Sequence, residues 1–408
     1  MHRIASGFHS ERRDTMLTEK LFETNSYMRE FRARVLQCIP LENIKKREDG
    51  AAYGIILDKT AFFPEGGGQT ADIGNLGCAQ VLDVQEVNGE ILHYTDVPLP
   101  EHSEVIGSLN WEQRLCKMQN HTGEHLVSGI VHQQFGYNNV GFHLGKDGVT
   151  VDFDGVLTED ELRFVEYIAN RVIALNKAVT VSYPTPEEAA ALDYRSKLDI
   201  TENLRIVTID GWDICACCAP HVNATGEIGA VKLLDAENWK GGIRLHMLCG
   251  LDAVSDYQKR CENTVRISNL LSVPQLEAAN AVERLMNQMQ ADREEIGRLR
   301  RALLESKIAA LRPTDRHLVL FDAELDANGI RNLVNAGIPL CGGICAGFLG
   351  NDSDGYRYVI GSTQIPLRAF AKDFNARLNG RGGGSDAMIQ GTVHASRAQI
   401  ESFFDTEC

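Results

Sequence analysis

His121-Thr-Gly-Glu-His125 and, far downstream, Cys217-Cys-Ala-Pro-His221 decide how this chain reads. Each stretch places two metal-binding side chains four residues apart. On a helix that spacing sets both on one face, with Cβ atoms about 5–6 Å apart. Imidazole nitrogen and thiolate sulfur are donors that zinc favours, so His121, His125, Cys217 and His221 together make a four-ligand set for Zn2+. A capping box frames the first pair: Asn110 offers an N-cap with Gln113 three residues on, and Gly136 is the expected stop. The two histidines therefore ride on one helix, with Leu115, Met118, Leu126 and Ile130 as its apolar face.

Working outward, the 408 residues are 43% hydrophobic and 24% charged, which suits a chain of several domains with sizeable cores. No apolar run reaches membrane-spanning length and no charged-then-apolar leader is visible, so a cytoplasmic location is expected. The eleven cysteines are an odd number and fit reduced thiols better than a disulfide framework. A formal charge of −15 argues against non-specific nucleic-acid binding while allowing a local basic groove.

Residues 1–21 read as a disordered lead-in, with Met16 an alternative start. Residues 22–110 are rich in β pattern, with Asn88-Gly89 as a hairpin signal, and predict a barrel-like β domain. It holds Phe62-Phe63-Pro-Glu-Gly66-Gly67-Gly68-Gln69-Thr70-Ala-Asp-Ile-Gly74, whose consecutive glycines suit a tight turn or close approach to a ligand. Residues 111–255 mix helices, capped at Thr158 and Thr185, with antiparallel strands; Thr225–Leu234 and Gly242–Gly250 are expected to pair as a hairpin. Residues 256–312 are helical with an apolar 3-4 repeat, read as an arm or a homodimer contact. Residues 313–408 form a compact α/β module ending in Asn379-Gly-Arg381-Gly382-Gly383-Gly384-Ser-Asp-Ala-Met-Ile-Gln-Gly391. The fold class is α+β.

The glycine-rich turn, the HTGEH helix, the CCAPH element with Thr225-Gly-Glu-Ile-Gly229 behind it, and the terminal glycine motif occur in that order. In this the chain resembles the alanyl-tRNA editing proteins (AlaX type, long form), related to the editing half of alanyl-tRNA synthetase. The resemblance covers nearly everything after residue 20. It implies zinc-dependent hydrolysis of Ser-tRNA(Ala) and Gly-tRNA(Ala) supplied in trans, and it implies that residues 313–408 are a DHH-associated domain. Carried over position by position, His121, His125, Cys217 and His221 match the metal ligands, Gly66–Gln69 the glycine-rich turn, and Gly380–Gly384 the C-terminal glycine motif. Two departures stand out. Cys215 and Cys218 crowd Cys217 and compete with it, and Asp386 stands where the family often has proline. Nothing resembling an amino-acid-activating domain is visible, so no aminoacylation activity is expected.

Ester hydrolysis needs a polarised carbonyl and a positioned water. Four protein ligands usually describe a closed zinc site, whereas catalytic zinc keeps a position open, so the sequence leaves the source of the water undecided. Glu124 is the candidate general base and His143 a candidate pocket residue. Lys232 and Arg244 are expected to meet terminal phosphates; Gln69 and Thr70 lie where substrate discrimination would sit; Arg381 and its glycines are candidates for tRNA contact. Two other readings remain. His121-x-x-Glu124-His125 also fits a zinc metallopeptidase motif, and a structural zinc could instead hold a non-enzymatic RNA-binding scaffold.

Overall fold

A computed structural model describes residues 17–41, 49–145, 148–196 and 204–406. The expected lead-in up to Met16 lies outside the described residues. Residues 17–21 do not continue it, because Glu19–Lys20 pairs in parallel with Lys59–Thr60 and Leu21–Thr24 is helical. The chain separates into two compact units, Met1–Asn263 and Thr264–Cys408. The division falls inside the helix Gly250–Leu271.

In the first unit, six antiparallel strands pair into a closed ring in the order Glu30–Pro40, Tyr53–Leu57, Glu90–Thr95, Ala79–Val87, Gly74–Leu76, Glu104–Leu109 and back to Glu30–Pro40. The ring forms because several of its strands alternate, Glu90–Thr95 and Glu104–Leu109 among them, while Tyr53–Leu57 is buried throughout from Gly54. Glu30 to Val35 reads exposed, buried, exposed, buried, exposed, buried, the period-two pattern of a sheet with one wet face. Val35, Ile55, Leu57, Val81 and Ile91 point inward and are fully buried, each stabilising the ring by about 1.5–3 kcal/mol. Asn88 and Gly89 both take positive φ and close the hairpin Ala79–Thr95, as the primed turn requires.

The helix Trp111–Phe135 starts where the Asn110 side chain accepts from Gln113 N–H and stops at Gly136 in the left-handed region. Lys117 through Val131 is buried on every side. Such burial is possible because neighbours come close at two glycines: a Cβ on Gly123 would strike Cys249 Sγ, and one on Gly129 would strike the Trp212 carbonyl. A four-stranded antiparallel sheet runs Val231–Trp239, Gly242–Cys249, Gly148–Phe153, Asn139–Gly145. A three-stranded sheet runs Val179–Ser182, Ile206–Ile209, Asp213–Ala216. The helix Glu159–Leu175 carries the Thr158–Glu161 capping box and Pro186–Ala190 the Thr185–Glu188 one. The expected hairpin forms only from Val231 onward; Thr225–Ile228 is a single 3-10 turn. Its Thr225 hydroxyl donates to the Val172 carbonyl and accepts from Lys177 N–H, which ties it to the helix end rather than to a strand.

The second unit contains the 33-residue helix Ala278–Ala310 and a five-stranded sheet. Leu318–Asp322 and Cys345–Asn351 pair in parallel; Gly355–Gly361, Met388–Val393 and Gly380–Gly384 follow antiparallel. Arg381, Gly382, Gly383 and Gly384 lie exposed on the edge strand. Among the described residues no helix is long and apolar enough to cross a membrane. The chain is a mixed α+β protein.

Candidate metal centre

One donor atom from each of His121, His125, Cys217 and His221 lies within 4.8 Å of the others. The first pair sits on the buried helix. The second does not sit on a helix at all: residues 217–221 form an irregular loop. Arg205 shapes that loop, its Nη1 donating to the carbonyls of Cys217 (2.7 Å) and Ala219 (2.9 Å). Ser26 Oγ donates to the His221 carbonyl from the ring side at 2.9 Å. The loop brings His221 Nε2 to 3.3 Å from Cys217 Sγ, and His121 Nε2 stands 3.5 Å from the same sulfur.

Each imidazole is held by its other nitrogen. His121 Nδ1 donates to Gln69 Oε1 (2.8 Å), His125 Nδ1 donates to Asp213 Oδ2 (3.1 Å), and His221 Nδ1 is 3.0 Å from Thr122 Oγ1. Outer partners of this kind fix ring orientation and tautomer in metal-binding histidines. With every Nδ1 engaged, the Nε2 lone pairs and the sulfur are left to converge. Three imidazoles and a thiolate, so oriented, fit a tetrahedral Zn2+.

The electrostatics set a Cys217 thiolate against a protonated His125, whose Nε2 proton metal binding would release. Burial alone would push the Cys217 thiol up, but His121 and His221 outweigh it and hold it well below the usual thiol range. Burial brings His221 down to about 3, reinforced by the neighbouring imidazoles and opposed by Cys217. Burial disfavours a charged His125 as well, yet Cys215, Asp213 and Cys217 outweigh it and raise the group well above its ordinary value. Asp213 is itself clamped by Arg195, whose Nε and Nη2 donate to its two oxygens at 2.7 and 3.0 Å. Of the competing cysteines, Cys218 is exposed, while Cys215 groups with His125 and Asp213 in a second, overlapping donor set.

A cavity of about 140 Å³ opens on these residues, lined among others by Gly67, Glu124, Asn139, Phe142, Arg195 and Ser196. Glu124 is buried, and its Oε1 accepts from Ser128 Oγ and Asn139 Nδ2, both at 2.5 Å. Phe142 packs against His121 with ring centroids 4.6 Å apart. His143 is exposed and does not line this cavity, because the strand's period of two turns it away from the face that Phe142 presents.

The glycine-rich turn is tight: Gly66 and Gln69 exchange backbone hydrogen bonds at 3.0 Å, with Gly67 and Gly68 both at positive φ. A Cβ on Gly68 would run into the Phe142 carbonyl, so the turn lies directly on the strand Asn139–Gly145. Gln69 thereby reaches His121, while Thr70 offers its carbonyl to Lys117 Nζ at 3.2 Å. Lys232 pairs with Glu166 at 2.7 Å, and Arg244 grips Asp152 bidentately and stacks 3.7 Å above Trp239. Neither basic residue lines the cavity, and both are already engaged. Asp213, Thr122 and Arg195 escaped the sequence reading. Thr122 lies inside HTGEH and Asp213 four residues before Cys217, but nothing in that spacing announces a hydrogen bond to an imidazole.

A family model described as the threonyl and alanyl tRNA synthetase second additional domain matches residues 204–246, the segment carrying Cys217 and His221. A second, for class II (A) tRNA synthetases, matches residues 7–113. The expectation is narrower, that no amino-acid-activating domain is visible; this match places part of a class II (A) synthetase model on the chain, and its described part contains the strand ring. Alanyl-tRNA editing protein Aarsd1 of Danio rerio is 26% identical over 393 residues, 93% of this chain and 95% of its own length. The alanine–tRNA ligases of Pyrococcus furiosus and Pyrococcus abyssi are 33% and 31% identical, each over 71% of this chain. The chain spans 33% and 32% of those ligases. Residues 204–246 therefore match the additional domain of threonyl- and alanyl-tRNA synthetases. Along most of its length the chain is similar to a protein named for alanyl-tRNA editing and to alanine–tRNA ligases.

Proposed function

We propose that this chain is a trans-editing hydrolase that removes serine and glycine wrongly esterified to tRNA(Ala), holds Zn2+ through His121, His125, Cys217 and His221, and does not charge tRNA itself. The observation carrying this reading is the convergence of those four donors beside a cavity of acyl-group size. Similarity to a protein named for alanyl-tRNA editing along nearly its whole length supports it. The metallopeptidase reading would leave Cys217 and His221 without a role.

When bound, zinc would polarise the ester carbonyl and favour ionisation of a nearby water. Gln69, Asp213 and Thr122 keep the imidazoles aimed. Glu124, steadied by Ser128 and Asn139 on the cavity wall, takes the proton of the attacking water. Phe142 and the glycine turn restrict the cavity and keep bulk solvent from the ester. Arg381 and Gly382–Gly384 belong to a proposed tRNA-binding module at residues 313–408. The exposed apolar residues Leu285, Met286, Met289, Ile296 and Leu299 support self-association through residues 256–312. The site of action is the cytoplasm.

Deacylation of Ser-tRNA(Ala) with and without a zinc chelator tests the reading: turnover is expected with metal and loss of it without. Metal-loaded protein that leaves the ester intact overturns it. Glu124→Gln is expected to lower turnover with zinc content kept.

A further inference from the structure

A second, larger cavity of about 890 Å³ adjoins the metal cavity and shares Asn139, Arg195, Ser196 and Cys215 with it. The smaller space equals only about five waters at roughly 30 Å³ each, enough for the acyl group of serine and far too little for the nucleotide that carries it. The larger one has two aromatic walls, Tyr194 and Trp212, both half-buried. Trp212 packs against the core, and its backbone is held by Gln133 Nε2, which donates to the Trp212 carbonyl at 2.9 Å. Asp154, Asp193 and His132 also line this cavity. Asp154 accepts from Asn138 N–H (2.7 Å) and Nδ2 (2.9 Å), which favours its charged form. Arg195 is neutralised by Asp213. With two carboxylates against one imidazole and an already paired guanidinium, the lining disfavours phosphate and suits a flat, uncharged ring.

Building on the editing reading, we propose that this cavity seats the terminal nucleoside of the acylated tRNA, its base stacked on Trp212 and Tyr194 and its ribose at the shared residues, so that the ester enters the metal cavity. Every tRNA ends in adenosine, and that nucleoside bears the acyl group on its ribose. Base stacking on aromatic side chains is a sequence-tolerant source of affinity. Because such stacking is the same before and during reaction, it acts on KM rather than kcat. Trp212 and Tyr194 are positioning residues.

The test uses the full chain with Trp212→Ala, Tyr194→Ala and Trp212→Phe. Trp212→Ala is expected to raise KM for Ser-tRNA(Ala) about tenfold with kcat nearly unchanged, Tyr194→Ala to act in the same direction, and Trp212→Phe to recover most of the loss. Adenosine should compete with substrate in the wild type and about tenfold less well in Trp212→Ala, while ribose 5-phosphate competes with neither. Unchanged KM in both alanine variants of an active enzyme overturns the proposal, as does ribose 5-phosphate competing as well as adenosine. Should Trp212→Ala fail to fold, Tyr194→Ala and Trp212→Phe decide by the same KM criterion. Should the wild type not deacylate at all, calorimetric titration with adenosine separates the two ideas. Binding that is weakened in Tyr194→Ala upholds the cavity assignment without the editing reading, and absence of binding removes it.

Discussion

Gln69 Oε1 stands 2.8 Å from His121 Nδ1, so a side chain from the glycine-rich turn sets the tautomer of an imidazole on the helix that follows. Gln69→Leu should keep the fold and weaken zinc binding by about 10–100-fold, the usual cost of losing such a partner. Competition with a chromophoric chelator measures it. Gln69→Glu, which can still accept from Nδ1, should fall between the two.

Asp72 and Arg114 form a fully buried ion pair between the turn and the start of the same helix, and Arg114 also donates to the carbonyls of Ser26 (3.0 Å) and Ala61 (2.6 Å). Asp72→Asn leaves a buried guanidinium without its counter-charge and should cost about 3–5 kcal/mol. The denaturant midpoint reports the loss. The double variant Asp72→Asn/Arg114→Met should regain part of it.

His93 is buried inside the ring, with Nδ1 donating to the Ile55 carbonyl at 3.0 Å and Nε2 2.8 Å from Thr60 Oγ1. Burial lowers it from 6.5 to about 4, the Ile55 carbonyl opposing. Between those values the unfolded chain takes up a proton that the folded chain refuses, so stability rises with pH. The contribution is whole above 6.5 and is lost as pH falls toward 4, by roughly 3 kcal/mol at about 1.4 kcal/mol per unit. Thermal melts across this window should show a slope that flattens in His93→Gln.

Cys215, Cys217 and Cys218 are separable. Cys217→Ala should abolish both zinc retention and deacylation, since its sulfur lies among the imidazoles. Cys218→Ala should leave zinc content unchanged, because Cys218 is exposed and outside both donor groups. Cys215→Ala tests the overlapping set with Asp213. Metal analysis per chain, with turnover on the same samples, distinguishes the three.

Much of this was legible from local chemistry. Asn110, Thr158 and Thr185 announce their helices because a capping side chain bonds a backbone N–H three residues away, and Asn88-Gly89 announces a hairpin through its positive φ. The cluster of His121, His125, Cys217 and His221 was legible because few residue types bind a metal such as zinc. What was not legible depends on register between distant segments. His143 and Phe142 are adjacent in sequence, and only the pairing of their strand decides which faces the cavity. Lys232 and Arg244 looked free until Glu166 and Asp152, more than sixty residues away, came to lie opposite them. Cys217 and His221 keep a helical spacing without a helix, because Arg205 bends their loop instead.

The fastening of the ring to the helix Trp111–Phe135, through Asp72 with Arg114 and Gln69 with His121, would make retention of the proposed metal a gauge of ring integrity. Local fraying near the turn would release the carboxamide and let an imidazole swing before the helix itself melted. Zinc leakage on mild heating should therefore precede any loss of helical signal, and a crevice-filling ligand would slow it from a distance.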